Sequence, residues 1–314
     1  MRYALVPIVL LALAGASAPP DRQSAAATEL TTTPGALVEA EVEGKPVRLQ
    51  LRAGGPDRLI LNGETVARLG IKRADFFGSA SFSVAGRREF KGESRPLDFV
   101  IGGMKQKGRA FWFTDAPPQT GDGSIGPLAL PQARLRFDLG PAAADQKLYA
   151  FPYYGAINGQ SLTAHELSPG LRMGVSFDLE ETGPYPIASA AAGAVIANDH
   201  GGTVSGASWD VEIIFGVKRP VRLMTLERPF VFGPFAFRQI AVRVRNRVDA
   251  AGHGADIPEA GAVEDPSEVV VTANAKGVKP VHSFAIPRAA FAPCSTLLFD
   301  KAAKTISVMC RPAV

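Results

Sequence analysis

Short apolar runs separated by glycine-rich turns dominate the chain from Gly35 to Leu139. Val47–Leu51, Leu59–Leu61, Phe82–Val84, Leu97–Ile101, Arg109–Phe113 and Arg134–Leu139 each have strand length and are bounded by turn residues, the pattern of an antiparallel β domain. One stretch, Gly63–Leu69, carries helical rather than alternating spacing and predicts a short helix. Further on, Pro141–Gly170 is a mixed connector with an aromatic patch, Tyr149 to Tyr154, which either seals the interface between two halves or lines a cleft.

The second half repeats the first weakly but in order. Leu51-Arg-Ala-Gly-Gly-Pro56 matches Leu179-Glu-Glu-Thr-Gly-Pro184, Phe99-Val-Ile-Gly-Gly-Met104 matches Phe230-Val-Phe-Gly-Pro-Phe235, and Phe137-Asp138 matches Phe299-Asp300. The insertion before the last match, Asp249–Glu268, holds six acidic residues and no Lys or Arg, and reads as an acidic surface loop.

Composition narrows the classes. With 314 residues, 46% of them hydrophobic, the chain can bury a sizeable core in two units. A net charge of +4 is small for this size and does not argue for nucleic acid, which would need clustered basic residues on one face. Residues 1–18 combine Arg2, an apolar run from Ala4 to Ala14 and an Ala-Ser-Ala end, which predicts a secretory signal peptide and hence a secreted or periplasmic protein. Residues 19–34 read as a flexible leader, and no later segment is apolar enough for a transmembrane helix. The two cysteines, Cys294 and Cys310, are expected to form a disulfide in an oxidising compartment, worth roughly 3 kcal/mol in the chain-entropy account. The four histidines are scattered, so neither a metal nor a cofactor is implied.

The layout from Val38 to Pro56, strand, Gly-Lys-Pro turn, strand and glycine-rich tip, resembles the first active-site hairpin of retropepsin-like and pepsin-like aspartic peptidases. Asp122-Gly-Ser-Ile-Gly-Pro-Leu-Ala-Leu130 resembles the segment that threads beneath that family's catalytic loop, and Val66–Ile71 its following helix. The resemblance implies an all-β, bilobal pepsin-like fold: lobe one over 35–140, a connector over 141–170 and a degenerate lobe two over 171–314, with a cleft between. The runner-up is a single retropepsin-like domain followed by an unrelated β domain.

In that family each tip carries an Asp, and the pair shares one proton around a water. Here the first tip reads Arg52-Ala53-Gly54-Gly55, so the glycines persist and the carboxylate does not. The second reads Glu180-Glu181-Thr182-Gly183, where Glu181-Thr-Gly has the form of the motif with one extra methylene. Two arrangements follow. Arg52 pairs with Glu180 or Glu181 in a structural clasp, or Glu181 works with another carboxylate such as Asp57. The first implies a non-catalytic protein that binds an extended peptide or protein partner in the cleft or at a sheet edge. The second implies a divergent endopeptidase; a closed, purely structural envelope protein is a third possibility.

Three smaller features carry binding readings. Arg243, Arg245 and Arg247 alternate on one strand face, either solvated or a patch for phosphate-bearing molecules. Pro266–Ala273 resembles the TonB box of outer-membrane receptors, or is a plain strand. Phe82–Arg88 reads as a flap hairpin or an ordinary turn.

Overall fold

The computed structural model describes residues 29–84, 88–154, 162–244 and 281–312. The first half opens with β1 (Glu29–Thr32), which pairs in parallel with β9 (Arg134–Asp138). Strands β2 (Leu37–Val42) and β3 (Lys45–Leu51) form a tight hairpin whose turn places Glu43 and Gly44 at positive φ. Along β3, Val47, Leu49 and Leu51 point inward while Pro46 and Arg48 face solvent, the period-two alternation of a half-buried strand.

After β4 (Leu59–Leu61), the helix α1 (Gly63–Leu69) ends on Gly70 in the left-handed region, where a residue without Cβ is unstrained. There follow β5 (Ser79–Val84), β6 (Arg88–Ile101), β7 (Met104–Phe113) and β8 (Gly123–Ile125). The order β2-β3-β8-β4-β7-β6 closes through β2–β6 into a six-stranded barrel, with β5 appended to β6.

The second half contributes β10 (Lys147–Tyr154), β11 (Leu162–Ser168), β12 (Leu171–Asp178) and β13 (Ile187–Ala188), then helix α2 (Ala190–His200). It continues with β14 (Gly202–Ile214), β15 (Val217–Phe232), β16 (Phe235–Arg243), β17 (Ser283–Pro287), β18 (Cys294–Asp300) and β19 (Thr305–Cys310). These join β1 and β9 in one twelve-stranded sheet, β1-β9-β18-β19-β10-β11-β12-β17-β13-β16-β15-β14. The protein is mostly β, as expected, and Cys294 and Cys310 are disulfide-bonded across β18 and β19.

Both halves follow one wiring. In the first, β3 runs parallel to β8, β8 antiparallel to β4, and β4 parallel to β7. In the second, β12 runs parallel to β17, β17 antiparallel to β13, and β13 parallel to β16. A helix follows β4 and β13 in turn, with Asn62 and Ser189 at the N-cap positions and only Ser189 capping through its side chain, and a short 3-10 turn follows β8 and β17. Phe137 and Phe299, paired from sequence, sit on the adjacent strands β9 and β18 with ring centroids 6.2 Å apart.

Several expectations change. Within the stretch read as leader, Glu29–Thr32 is a strand, held by its ladder with β9 and by the Arg136–Glu29 ion pair (2.9 Å). Tyr149–Tyr154 belongs to β10, where Phe151 stacks on Phe232 (centroids 4.6 Å), so this patch seals the core. Helix α2 escapes a periodicity search because its Ala- and Gly-rich sequence has no amphipathic stripe. It packs close instead, since a Cβ on Gly193 would lie 2.5 Å from Val242 Cγ1. The signal peptide, the acidic loop 249–268, Arg245, Arg247, the TonB-like segment and the tip of the β5–β6 hairpin lie outside the described residues. Among the described residues no helix is long and apolar enough to cross a membrane.

Candidate functional site at the junction of the two hairpin tips

The parallel ladders fix which residues are equivalent. Leu51 pairs with Ile125 on β8, and Phe177 pairs with Ile286 on β17. Leu59 lies opposite Ile125, and Ile187 lies opposite Ala285, so the two frames agree to the helix caps. Arg52 is therefore equivalent to Asp178, Ala53 to Leu179 and Gly54 to Glu180. The sequence match of Leu51 with Leu179 is two residues out of register. It rested on the Thr-Gly pair at 182–183, which lies beyond the tip and is not its counterpart.

The two tips touch. A Cβ on Gly54 would stand 2.8 Å from Asp178 Cγ and 3.0 Å from its Cα, so only glycine allows this approach. Gly55 closes the first tip by donating to the Arg52 carbonyl (3.2 Å), and a Cβ there would meet Arg52 Cβ at 2.7 Å. Ala53 is fully buried behind it. In the second tip, Asp178 Oδ1 accepts from the amides of Glu180 and Glu181, both at 3.2 Å.

Glu180 occupies the space that a glycine would leave open. Its surroundings are the Asp178 carboxyl, the Arg52 guanidinium and the Gly54 amide. Neither of its buried carboxyl oxygens, nor the buried Nε of Arg52, completes a hydrogen bond of good geometry. Burial, and then the Asp178 charge, push its pKa up to about 8 against the opposing pull of Arg52. The tip thus brings together two carboxyls, those of Asp178 and Glu180, and the Arg52 guanidinium.

Glu181 is turned away from this cluster. Its Oε1 accepts from the Gly183 amide (2.6 Å) and its carbonyl from the Arg288 amide (2.9 Å), while Thr182 is exposed. Burial and the charges of Asp178 and Glu212 raise its pKa. Asp57 caps the 3-10 turn after β8 through Leu128 N (2.9 Å), so the expected Glu181–Asp57 partnership is not assembled. The Arg52–Glu181 form of the clasp is not made either; the carboxyl beside Arg52 is that of Glu180. Asp178, the tip aspartate, was missed in sequence. Its available signal was position, the polar last residue of a strand whose buried positions end at Val175 and Phe177.

Asp122, in the motif that threads beneath the tip, is a structural hub. Its carboxylate accepts from Arg48 N (2.8 Å), Thr65 Oγ1 (3.1 Å) and Arg68 Nη2 (2.6 Å). Burial alone would raise its pKa, but the Arg48 amide, Arg68 and Thr65 together hold it below the ordinary carboxylate value. A Cβ on Gly126 would lie 2.3 Å from Pro56 O, which is the close passage expected of this segment.

Over the outer face of the barrel lies the β14–β15 hairpin. Its tip residue Phe215 enters a cage of Phe82, Phe90 and Phe113 with centroids 5.2, 5.8 and 5.6 Å away. Next to it opens a cavity of about 240 Å³ lined by Ile60, Asn62, Gly63, Phe113, Pro117 and Phe215, among others. Among the described residues no cluster of His, Cys, Asp or Glu has the arrangement of a metal site.

No protein-family model matches this chain. No curated protein matches it either.

Proposed function

We propose that this is an exported, aspartic-peptidase-like protein of bilobal, pepsin-like descent, non-catalytic, which binds an extended peptide or protein partner between its two halves. The observation that carries the reading is the register equivalence of Arg52 with Asp178 at two touching tips. A peptidase pair needs two carboxylates around one water. Here Arg52 stands where the first carboxylate would, and Glu180 lies between the Asp178 carboxyl and the Arg52 guanidinium. The repeated wiring of the halves supports the bilobal descent, since both tips emerge from equivalent strands. The cavity beside Phe215 is smaller than a typical ligand pocket and suits one apolar side chain of an extended chain.

The Asp178–Glu180 contact favours a second reading, a relocated acid–base pair in one tip, because one member stays protonated at neutral pH beside an aspartate.

One experiment separates the two. The purified protein is incubated with a mixed peptide library from about pH 3 to 8, a range spanning both carboxyl states, beside Asp178→Asn and Glu180→Gln. The expected result is no cleavage, with peptide retention that Gly63→Phe abolishes. An added side chain at Gly63 meets nothing within 4 Å and extends from the cavity wall. Cleavage that disappears in either carboxyl variant would overturn the binding reading.

A further inference from the structure

The segment between α1 and β5 presents two adjacent aromatic side chains to solvent. Phe76 is 83% exposed and Phe77 91%, the highest values among the large hydrophobic residues described. Leaving two rings in water forgoes stabilisation that an adaptable loop would recover by folding them inward. This loop cannot fold inward, because it is fastened to β6 and β7. Ala74 N donates to Ser94 O (3.2 Å) and Ser94 N to Gly78 O (2.7 Å). The Phe77 carbonyl accepts from Ser94 Oγ (3.4 Å) and Arg109 Nη1 (3.1 Å), and Arg109 also holds Ser94 Oγ (2.9 Å).

Two further features show how the loop is held. Phe77 sits at φ 56°, a region a bulky aromatic enters only when its surroundings impose it. Gly78 passes so close to Ala74 that a Cβ would stand 2.1 Å from the Ala74 carbonyl oxygen. The fold thus imposes an unfavourable backbone state and leaves both rings in solvent. Neither ring contributes to a core cluster.

The charges around the rings indicate what covers them. Lys72 and Arg73 precede the turn and are exposed. On β7, Lys105, Lys107 and Arg109 alternate with less exposed residues, so they share one face, and Arg109 joins that face to the Phe77 carbonyl. Asp75 lies within the turn, Asp98 pairs with Lys105 at 3.0 Å, and Glu41 and Glu43 edge the far side of the face on β2 and its turn, so the carboxylates gather around Lys105 and the end nearest the rings is the positive one. A second copy of the chain docking ring to ring would bring two basic collars together. A basic collar around two projecting aromatics instead suits an interface where rings enter the headgroup boundary and cations meet anionic headgroups.

We propose that the Asp75–Gly78 turn is a membrane-surface anchor, with Phe76 and Phe77 inserting into an anionic lipid surface under guidance from Lys72, Arg73, Lys107 and Arg109. The inference is independent of what the tip cluster or the cavity does.

The test uses the full chain with vesicles of phosphatidylglycerol and phosphatidylcholine, or of phosphatidylcholine alone. All variants share the apolar run Ala4–Ala14, so its contribution cancels between them. Co-sedimentation with the anionic vesicles is expected to weaken about tenfold or more in Phe76→Ser/Phe77→Ser. It is also expected to weaken in Lys72→Glu/Arg73→Glu, with loss of salt sensitivity. Phe77→Trp supplies a local readout, and its added emission is expected to be quenched by brominated lipid. Absence of that quenching, or unchanged sedimentation of the double serine variant with native circular dichroism, would overturn the proposal. So would a concentration-dependent dimer abolished by the same two serines, which would assign the turn to self-association.

Discussion

Gly54 and Asp178 are in such close approach that a single added carbon on Gly54 would stand 2.8 Å from the aspartate's Cγ. Their contact joins the first tip to the second, and the strands that lead into the two tips, β3 and β12, hold the same position in the repeated wiring. Gly54→Ala is expected to force the tips apart and to cost about 1–3 kcal/mol, the range for overpacking at a tight contact. Urea unfolding of the variant against the parent measures it. A loss near zero would mean that the tips are not held together.

Glu180 gives the protein a distinctive pH dependence. Its pKa is raised from 4.5 to about 8, so the folded state keeps a proton that the unfolded state releases. Stability from this group is complete below the unfolded value and drains away as pH climbs to the folded one. Glu180→Gln keeps the shape without the titration. It is expected to match the parent near pH 4 and to exceed it by on the order of 2 kcal/mol at about pH 9. Melting both proteins across that range reads the difference, and parallel curves would show that Glu180 does not titrate abnormally.

Much of the first half was legible in the sequence because its strands alternate cleanly and glycine marks its turns. Leu59–Leu61 and Gly63–Leu69 have the bounds that their spacing implies. The tip cluster was not legible. Thr182-Gly183 drew the alignment two residues beyond the true equivalence, which only the ladder of β12 on β17 reveals. Pairing across roughly a hundred residues of chain leaves no local signature. Nor does the orientation of Glu180, whose neighbours Arg52 and Gly54 come from the other half.

Phe215 belongs to the same class of long-range fact. It is 3% exposed, lies at φ 51°, and its cage rings all come from the barrel half. Phe215→Ala is expected to cost about 3–5 kcal/mol, the usual loss for a buried phenylalanine. Because the hairpin bridges the halves, limited proteolysis of the variant is expected to cut first between β14 and β15. Cleavage elsewhere with unchanged stability would show that the cage is not fastening the hairpin.

Asp122 ties β3 to helix α1 through its carboxylate. The acid is kept below its ordinary pKa of 3.8 by the Arg48 amide, Arg68 and Thr65, which together outweigh its burial. Its stabilisation is therefore present above the unfolded pKa and lost as pH falls through the folded one. Asp122→Asn supplies one acceptor where the parent supplies two, and turns an amide donor toward either Arg48 N or Arg68. The expected cost is about 2–3 kcal/mol at neutral pH, in the range for hydrogen bonds to a charged group. The variant's deficit is expected to shrink as pH falls through the lowered pKa of Asp122, where the parent also loses its charge. Denaturant titrations at pH 7 and at low pH measure both. A deficit that stays constant with pH would assign the effect to packing of the side chain and not to its ionisation.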